Sequence, residues 1–87
     1  MSEAKTTDDH NEIQQWAETR KGRPAKVKGA LNDGILRIDF GEPENGLEPI
    51  SWKEFFLIFD HNKLLFLHQD RTGDGKLSRF NKFVDRT

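Results

Sequence analysis

Cysteine is absent from the 87-residue chain. Its absence excludes disulfide bonds and thiolate metal sites, and it fits a protein of a reducing compartment. The chain also lacks any stretch near the roughly 20 apolar residues that a membrane helix needs, and it does not begin with the apolar segment of a signal peptide. The sequence therefore predicts a cytoplasmic protein without a membrane partner.

A strong charge of one sign is also missing, because 14 basic and 15 acidic residues leave a formal net charge of −1. Domains dedicated to nucleic-acid binding are usually strongly basic, so the overall charge does not favour that function. Locally the signs separate: residues 71–86 are rich in cations, and five more cations lie within nine residues, namely Arg20, Lys21, Arg23, Lys26 and Lys28. Because five neighbouring cations cannot all be paired locally, we predict that this basic segment, residues 20–28, binds an anionic macromolecule.

Aromatic side chains are plentiful, with seven Phe and two Trp in a chain that is 33% hydrophobic. One domain is expected at this length, and each aromatic side chain can bury roughly 150–250 Å². Residues 9–87 are therefore predicted to form a single small α+β domain, whereas residues 1–8, polar and without a period, are predicted to be a disordered tail. The predicted core comprises Ile13, Trp16, Leu36, Ile38, Phe40, Trp52, Phe55, Phe56, Phe59, Leu64, Phe66 and Phe83.

Two helices are predicted from capping signals and helical spacing. Asp9 is a suitable N-cap with Glu12 three residues later, and apolar side chains at helical spacing follow. Gly22 is predicted to end this first helix in the left-handed conformation. Ser51 and Glu54 form a second capping box, the clearest local signal in the sequence, and aromatic residues on one helical face come after it.

Four strands are predicted around these helices, in the order α-β-β-α-β-β, with one antiparallel sheet packed against both helices. Residues 25–28 and 36–40 alternate in polarity, and the Asn-Asp-Gly sequence at 32–34 predicts a hairpin turn between them. Residues 64–67 form a continuous apolar run that is typical of a buried strand. Residues 80–84 fit either a final strand or a terminal helical turn, and both alternatives stay open.

Residues 70–81 resemble an EF-hand calcium loop. Its first, third and fifth positions carry Asp70, Thr72 and Asp74, and a glycine stands at the sixth. The twelfth position, which requires a bidentate Glu, is Asn81, and no helix is predicted before the loop. We therefore expect a hairpin turn and no metal site, with a calcium-binding protein as a less favoured function.

Other short motifs give little support to catalysis. Lys21-Gly22-Arg23-Pro24 resembles the core of an AT-hook, but a helix stop followed by a strand explains the same residues. The histidines, His10, His61 and His68, do not have the spacing of metal ligands, and no nucleophile motif or phosphate-binding glycine loop is present. No catalytic residue and no cofactor are predicted.

Five segments, residues 13–18, 23–25, 35–40, 50–56 and 78–84, carry a resemblance to a known family. The most distinctive is the last, Ser-Arg-Phe-Asn-Lys-Phe-Val. On these segments the chain resembles a family of short bacterial proteins of similar length that have no assigned function. Some members carry the label 1,4-alpha-glucan branching enzyme, but such enzymes use a (β/α)₈ barrel of roughly 250 residues. The resemblance therefore implies a shared fold and assigns no activity.

The function that the sequence predicts follows by elimination. It is a non-catalytic interaction or regulatory module whose partner is a protein or a nucleic acid. The alternative is a nucleic-acid accessory protein that uses the basic segment, and salt-dependent binding would distinguish it because phosphate contacts release counterions.

Overall fold

The computed structural model describes residues 3–29, 35–41 and 46–86. Its elements in chain order are β1 (Lys5–Thr7), α1 (His10–Thr19), β2 (Arg23–Val27), β3 (Leu36–Asp39), β4 (Leu47–Pro49), α2 (Trp52–His61), β5 (Leu64–His68) and β6 (Asn81–Asp85). The α+β class and the order of the six predicted elements are confirmed, and the alternative left open at residues 80–84 is decided in favour of a strand. The turn predicted at residues 32–34 lies outside the described residues.

The strands form two antiparallel three-stranded sheets, where the sequence predicted one sheet. In the first sheet β5 lies between β1 and β6, and in the second sheet β2 lies between β3 and β4. Two of these strands, β1 and β4, were not predicted. Each has only three residues, which is too few to display the alternation by which a strand is recognised.

The N-terminal segment contains a strand in place of part of the predicted tail. β1 pairs antiparallel with β5, and Lys5 lies opposite His68. The Thr7 hydroxyl donates to Glu12 Oε1 at 2.9 Å, which fastens the strand to α1. The prediction of a disordered tail over residues 1–8 is therefore wrong for this strand, because backbone pairing satisfies its polar groups without any apolar pattern.

Both helices begin at the predicted caps. The Asp9 carboxylate accepts a hydrogen bond from the backbone N–H of Glu12 at 3.0 Å, and the Ser51 hydroxyl accepts one from that of Glu54, also at 3.0 Å. Each cap satisfies an N–H group that has no partner within its helix. The Glu54 side chain, which the capping box would direct back to Ser51, accepts from Lys26 Nζ instead, at 2.9 Å.

The end of α1 differs from the prediction. Lys21 takes the left-handed conformation expected of Gly22, with a φ of 60°. The Gly22 N–H donates to the Ala17 carbonyl at 2.7 Å, which is one of the bonds of a Schellman motif. Glycine is needed at this position for space, since a Cβ on Gly22 would lie 2.6 Å from Ile38 Cγ2.

Replacing Gly22 by alanine is therefore expected to lower the free energy of unfolding by about 1–3 kcal/mol, because the new methyl group must displace Ile38 in β3. Chemical denaturation of the variant and the parent protein measures this loss. In an Ile38→Ala background the clashing atom is absent, so the same substitution should cost clearly less. An equal cost in both backgrounds would contradict the steric explanation.

The core contains most of the predicted residues. Those buried are Ile13, Trp16, Leu36, Ile38, Phe55, Phe56, Phe59 and Phe66, whereas Phe40, Trp52, Leu64 and Phe83 are only partly buried against them. The ring centroids of Trp16 and Phe66 are 5.3 Å apart, and those of Phe55 and Phe83 are 5.8 Å apart. These contacts place α1 and α2 against the first sheet, so both helices share one aromatic core.

Candidate functional site: a basic cleft

The basic segment 20–28 is divided by the fold and does not form one patch. The Arg20 side chain is only 3% exposed. Lys26 is half-buried, and the hydrogen bond and charge of Glu54 raise its pKa above the ordinary value. The exposed members are Lys21, Arg23 and Lys28. Arg20 and Lys26 are therefore engaged within the fold, and a binding role for the basic segment stays a prediction that its exposed members can serve.

Arg20 is the buried link between α1 and the hairpin at residues 69–79. Its Nε donates to the Ser78 carbonyl, and its Nη2 donates to the Asp70 carbonyl at 2.7 Å. Its guanidinium also lies over the Trp16 ring, 4.3 Å from the centroid. These contacts replace the water that burial removes from the charge, so Arg20 is a structural residue.

The hairpin itself is the turn that the sequence predicted within residues 70–81. The Thr72 N–H donates to the Lys76 carbonyl at 2.8 Å, and the Gly75 N–H donates to the Thr72 carbonyl at 3.0 Å. The Thr72 hydroxyl donates to the Asp74 carboxylate, and this bond lowers the pKa of Asp74 below its ordinary value. The turn is therefore held by backbone pairing and by its own polar side chains.

Two of the carboxylates in the EF-hand-like pattern have other partners. Asp74 accepts from Thr72, and Asp70 Oδ1 lies 3.2 Å from Arg20 Nη2. Over the described ranges, no three His, Cys, Asp or Glu residues are grouped so that they could hold a metal ion. The absence of useful calcium affinity stays a prediction.

A cleft of about 290 Å³ lies where the end of α1 meets the hairpin. We call it the basic cleft, and it is lined by Thr19, Arg20, Lys21, Leu77 and Arg79. Lys21 belongs to the basic segment and Arg79 to the cation-rich C-terminal region, so the fold brings together two groups that are distant in sequence. Within the part of the chain that the structure describes, neither of these two side chains has a carboxylate partner.

Two of the residues that line the cleft, Arg79 and Leu77, have further features that bear on binding. The Arg79 guanidinium lies over the Phe40 ring, 5.4 Å from its centroid. The Phe40 ring packs edge-to-face on the Trp16 ring, and their centroids are 6.1 Å apart. A cation–π contact of this kind restricts the side chain without neutralising its charge. Leu77 is 42% exposed at the same cleft and offers an apolar contact beside the cations.

The segment that resembles an AT-hook is fixed within the fold. Lys21 lies in the left-handed turn after α1, and Arg23 and Pro24 are the first residues of β2, with Pro24 buried. An AT-hook must lie extended in the minor groove, which this arrangement does not allow. The interpretation as a helix stop followed by a strand is confirmed.

The three histidines lie on different elements. His10 begins α1, where its ring stacks on Phe56 at 4.1 Å and its Nε2 lies 3.0 Å from Asp60 Oδ1. His61 ends α2, and His68 ends β5, where it is buried. The burial of His68 was missed, although the alternation of Leu64 and Phe66 places it on the same face of the strand.

None of the helices in the described ranges is long and apolar enough to cross a membrane. The chain matches no family model, no curated protein and no solved structure.

Proposed function

We propose that this protein is a non-catalytic, cytoplasmic interaction module that binds an acidic segment of a partner protein in the basic cleft. The observation that carries the proposal is the presence of Lys21 and Arg79 in one concave site, without a carboxylate partner among the described residues. Positive potential focused in a cleft raises the rate of encounter with an anionic partner and disfavours cationic ones.

The cleft is held in place before a partner arrives. Arg20 ties α1 to the hairpin through the carbonyls of Ser78 and Asp70, so the two walls of the cleft are fixed relative to each other. Arg79 is also held against Phe40. Binding to such a site loses less conformational freedom, which favours affinity.

The chemistry of the cleft favours an acidic protein segment over a nucleic acid. Leu77 gives the site an apolar contact, as protein interfaces commonly have at their centre. A nucleic acid would call for many phosphate contacts, whereas the described residues that line the cleft include two exposed cations, Lys21 and Arg79. Its lining residues include no carboxylate, imidazole or thiol that could act as a general base, which supports a binding role.

The double variant Lys21→Glu/Arg79→Glu tests the proposal. We expect it to bind a fluorescent peptide rich in Asp, Glu and Leu at least about tenfold more weakly than the parent protein. Each reversal replaces an attraction of about 0.5–1 kcal/mol by a repulsion of similar size, and about 1.4 kcal/mol corresponds to tenfold in affinity. Fluorescence anisotropy at low and at physiological salt measures the change.

Lys53→Glu/Lys82→Glu is the matched control, because it changes the net charge equally at exposed positions that do not line the cleft. The control should retain most of the peptide affinity. Equal losses in both variants would show that only net charge matters and would contradict the site. Stronger, steeply salt-dependent binding to a DNA duplex or an RNA, lost in the cleft variant, would favour the nucleic-acid accessory function instead.

A further inference from the structure

His68 is a buried titratable residue that the basic cleft does not use. It is the last residue of β5 and is 8% exposed. Lys5 of β1 lies directly opposite it across the strand pair, so the N-terminal strand covers this end of β5. Any change in the charge of His68 therefore acts on the edge of the first sheet.

The surroundings of the His68 ring suit the neutral form. Its ring stacks on Phe66 with centroids 5.6 Å apart and lies 5.8 Å from the Trp16 ring. Neither ring nitrogen has a hydrogen-bond partner among the described residues. A carboxylate oxygen, Glu12 Oε2, lies 3.4 Å from Nε2, which is an ion-pair distance only when the ring is protonated.

The charged groups with the largest effect on His68 come from α1 and β1, and Glu3, Asp70 and Arg71 also line the cavity beside it. Burial is the main factor that lowers the pKa of His68 below its ordinary value of 6.5, and the positive charges of Arg20 on α1 and Lys5 on β1 lower it further. Glu12 on α1 acts in the opposite direction. An imidazolium here would place a second N–H, at Nδ1, in a site without an acceptor, which is costly.

β1 is the element that can detach from its neighbours most easily. It has three residues at the edge of its sheet, and its pairing with β5 is supported by the bond from the Thr7 hydroxyl to Glu12. Protonated His68 repels Lys5, which lies opposite it, whereas its attraction to Glu12 Oε2 opposes the release. Detachment of β1 would admit water to the His68 ring and would break only the few backbone hydrogen bonds between β1 and β5. Movement of α1 would disrupt the core.

We propose that protonation of His68 releases β1 from β5 and opens the cavity beside it. This cavity has a volume of about 530 Å³, and Lys5, Glu12, Trp16 and His68 are among its lining residues. The release exposes the backbone groups of β5 that β1 otherwise covers. The N-terminal strand thus acts as a pH-dependent cover of this sheet edge.

Amide hydrogen exchange on the full ¹⁵N-labelled chain tests the proposal. On lowering the pH from about 7.5 to about 5.5, across the ordinary titration range of histidine, we expect the protection factors of Thr7 and Phe66, which lie opposite each other, to fall several-fold. The protection factor of Ala25, in the second sheet, should stay unchanged. In His68→Gln, which stays neutral, Thr7 and Phe66 should show no such fall.

The proposal is overturned if His68→Gln shows the same fall, if Ala25 loses protection equally, or if the His68 ring titrates at or above its ordinary pKa in an NMR titration. Should His68→Gln not fold, Glu12→Gln serves instead. It removes a charge that stabilises the protonated ring in the closed state, so release should move to higher pH. Release at an unchanged or lower pH in that variant would contradict the mechanism.

Discussion

Replacing Phe59 by alanine is expected to lower the free energy of unfolding by about 3–5 kcal/mol. Phe59 is fully buried on α2, and its ring lies 6.3 Å from that of Phe55 and 6.4 Å from that of Phe83 on β6. Its removal leaves a cavity at the contact between the helix and the first sheet. A domain of this length has a total stability of about 4–13 kcal/mol, so urea denaturation should show a variant close to unfolding.

Two substitutions on the same helix provide the comparison. Leu57 is 64% exposed, and Leu57→Ala should change the stability by no more than about 0.5 kcal/mol. Trp52 is half-buried and stacks on Phe56, so Trp52→Ala should cost less than Phe59→Ala, although the sequence placed both in the core. Equal losses at Leu57 and Phe59 would show that helix propensity, and not burial, determines the result.

Arg20→Met is expected to cost about 3–5 kcal/mol. Methionine has a similar length and fills the space, but it cannot donate to the carbonyls of Trp16, Ser78 and Asp70, which Arg20 bonds. Each buried acceptor left without a donor costs about 1–3 kcal/mol, and the loss of three such bonds gives a cost of this size. Chemical denaturation measures the loss.

Arg20→Lys and Lys21→Met show whether the loss of stability comes from the hydrogen bonds of Arg20 or from the removal of a positive charge. Lysine keeps the charge but lacks the planar fork that reaches several carbonyls, so Arg20→Lys should lose nearly as much as Arg20→Met. Lys21→Met alters the exposed neighbouring residue and should stay within about 0.5 kcal/mol. If Arg20→Met were as mild as Lys21→Met, the network would contribute little and Arg20 would not be the structural link.

The parts of the fold that were predicted from the sequence depend on residues close together in the chain. The caps at Asp9 and Ser51 are such parts, because each bonds an N–H three residues later. The division into two sheets depends on contacts between distant segments, and β1 and β4 are too short to show a period. Capping signals and hydrophobic periodicity therefore reveal neither how the strands divide into sheets nor where such short strands lie.

The candidate site shows the same limit. Charge density identified Lys21, but its neighbour Arg79 comes from the other end of the chain, and only tertiary packing joins them. Arg20 was misassigned to the surface because it is a cation among cations. Its place seven residues after Ile13, in line with the buried face of α1 and directly after its last residue, was a signal that could have corrected the assignment.

The attachment of the hairpin at residues 69–79 has a consequence for partial unfolding. Trp16 Nε1 and Arg20 hold this segment to α1 by donating to its carbonyls, and those bonds form a small unit that can open before the aromatic core does. Because the basic cleft exists only while that unit is closed, a partner of the kind proposed would draw the equilibrium towards the closed state by mass action. A protease would then cleave the hairpin more slowly as the concentration of the partner increases. The rate of cleavage would measure the fraction of the protein whose cleft is occupied.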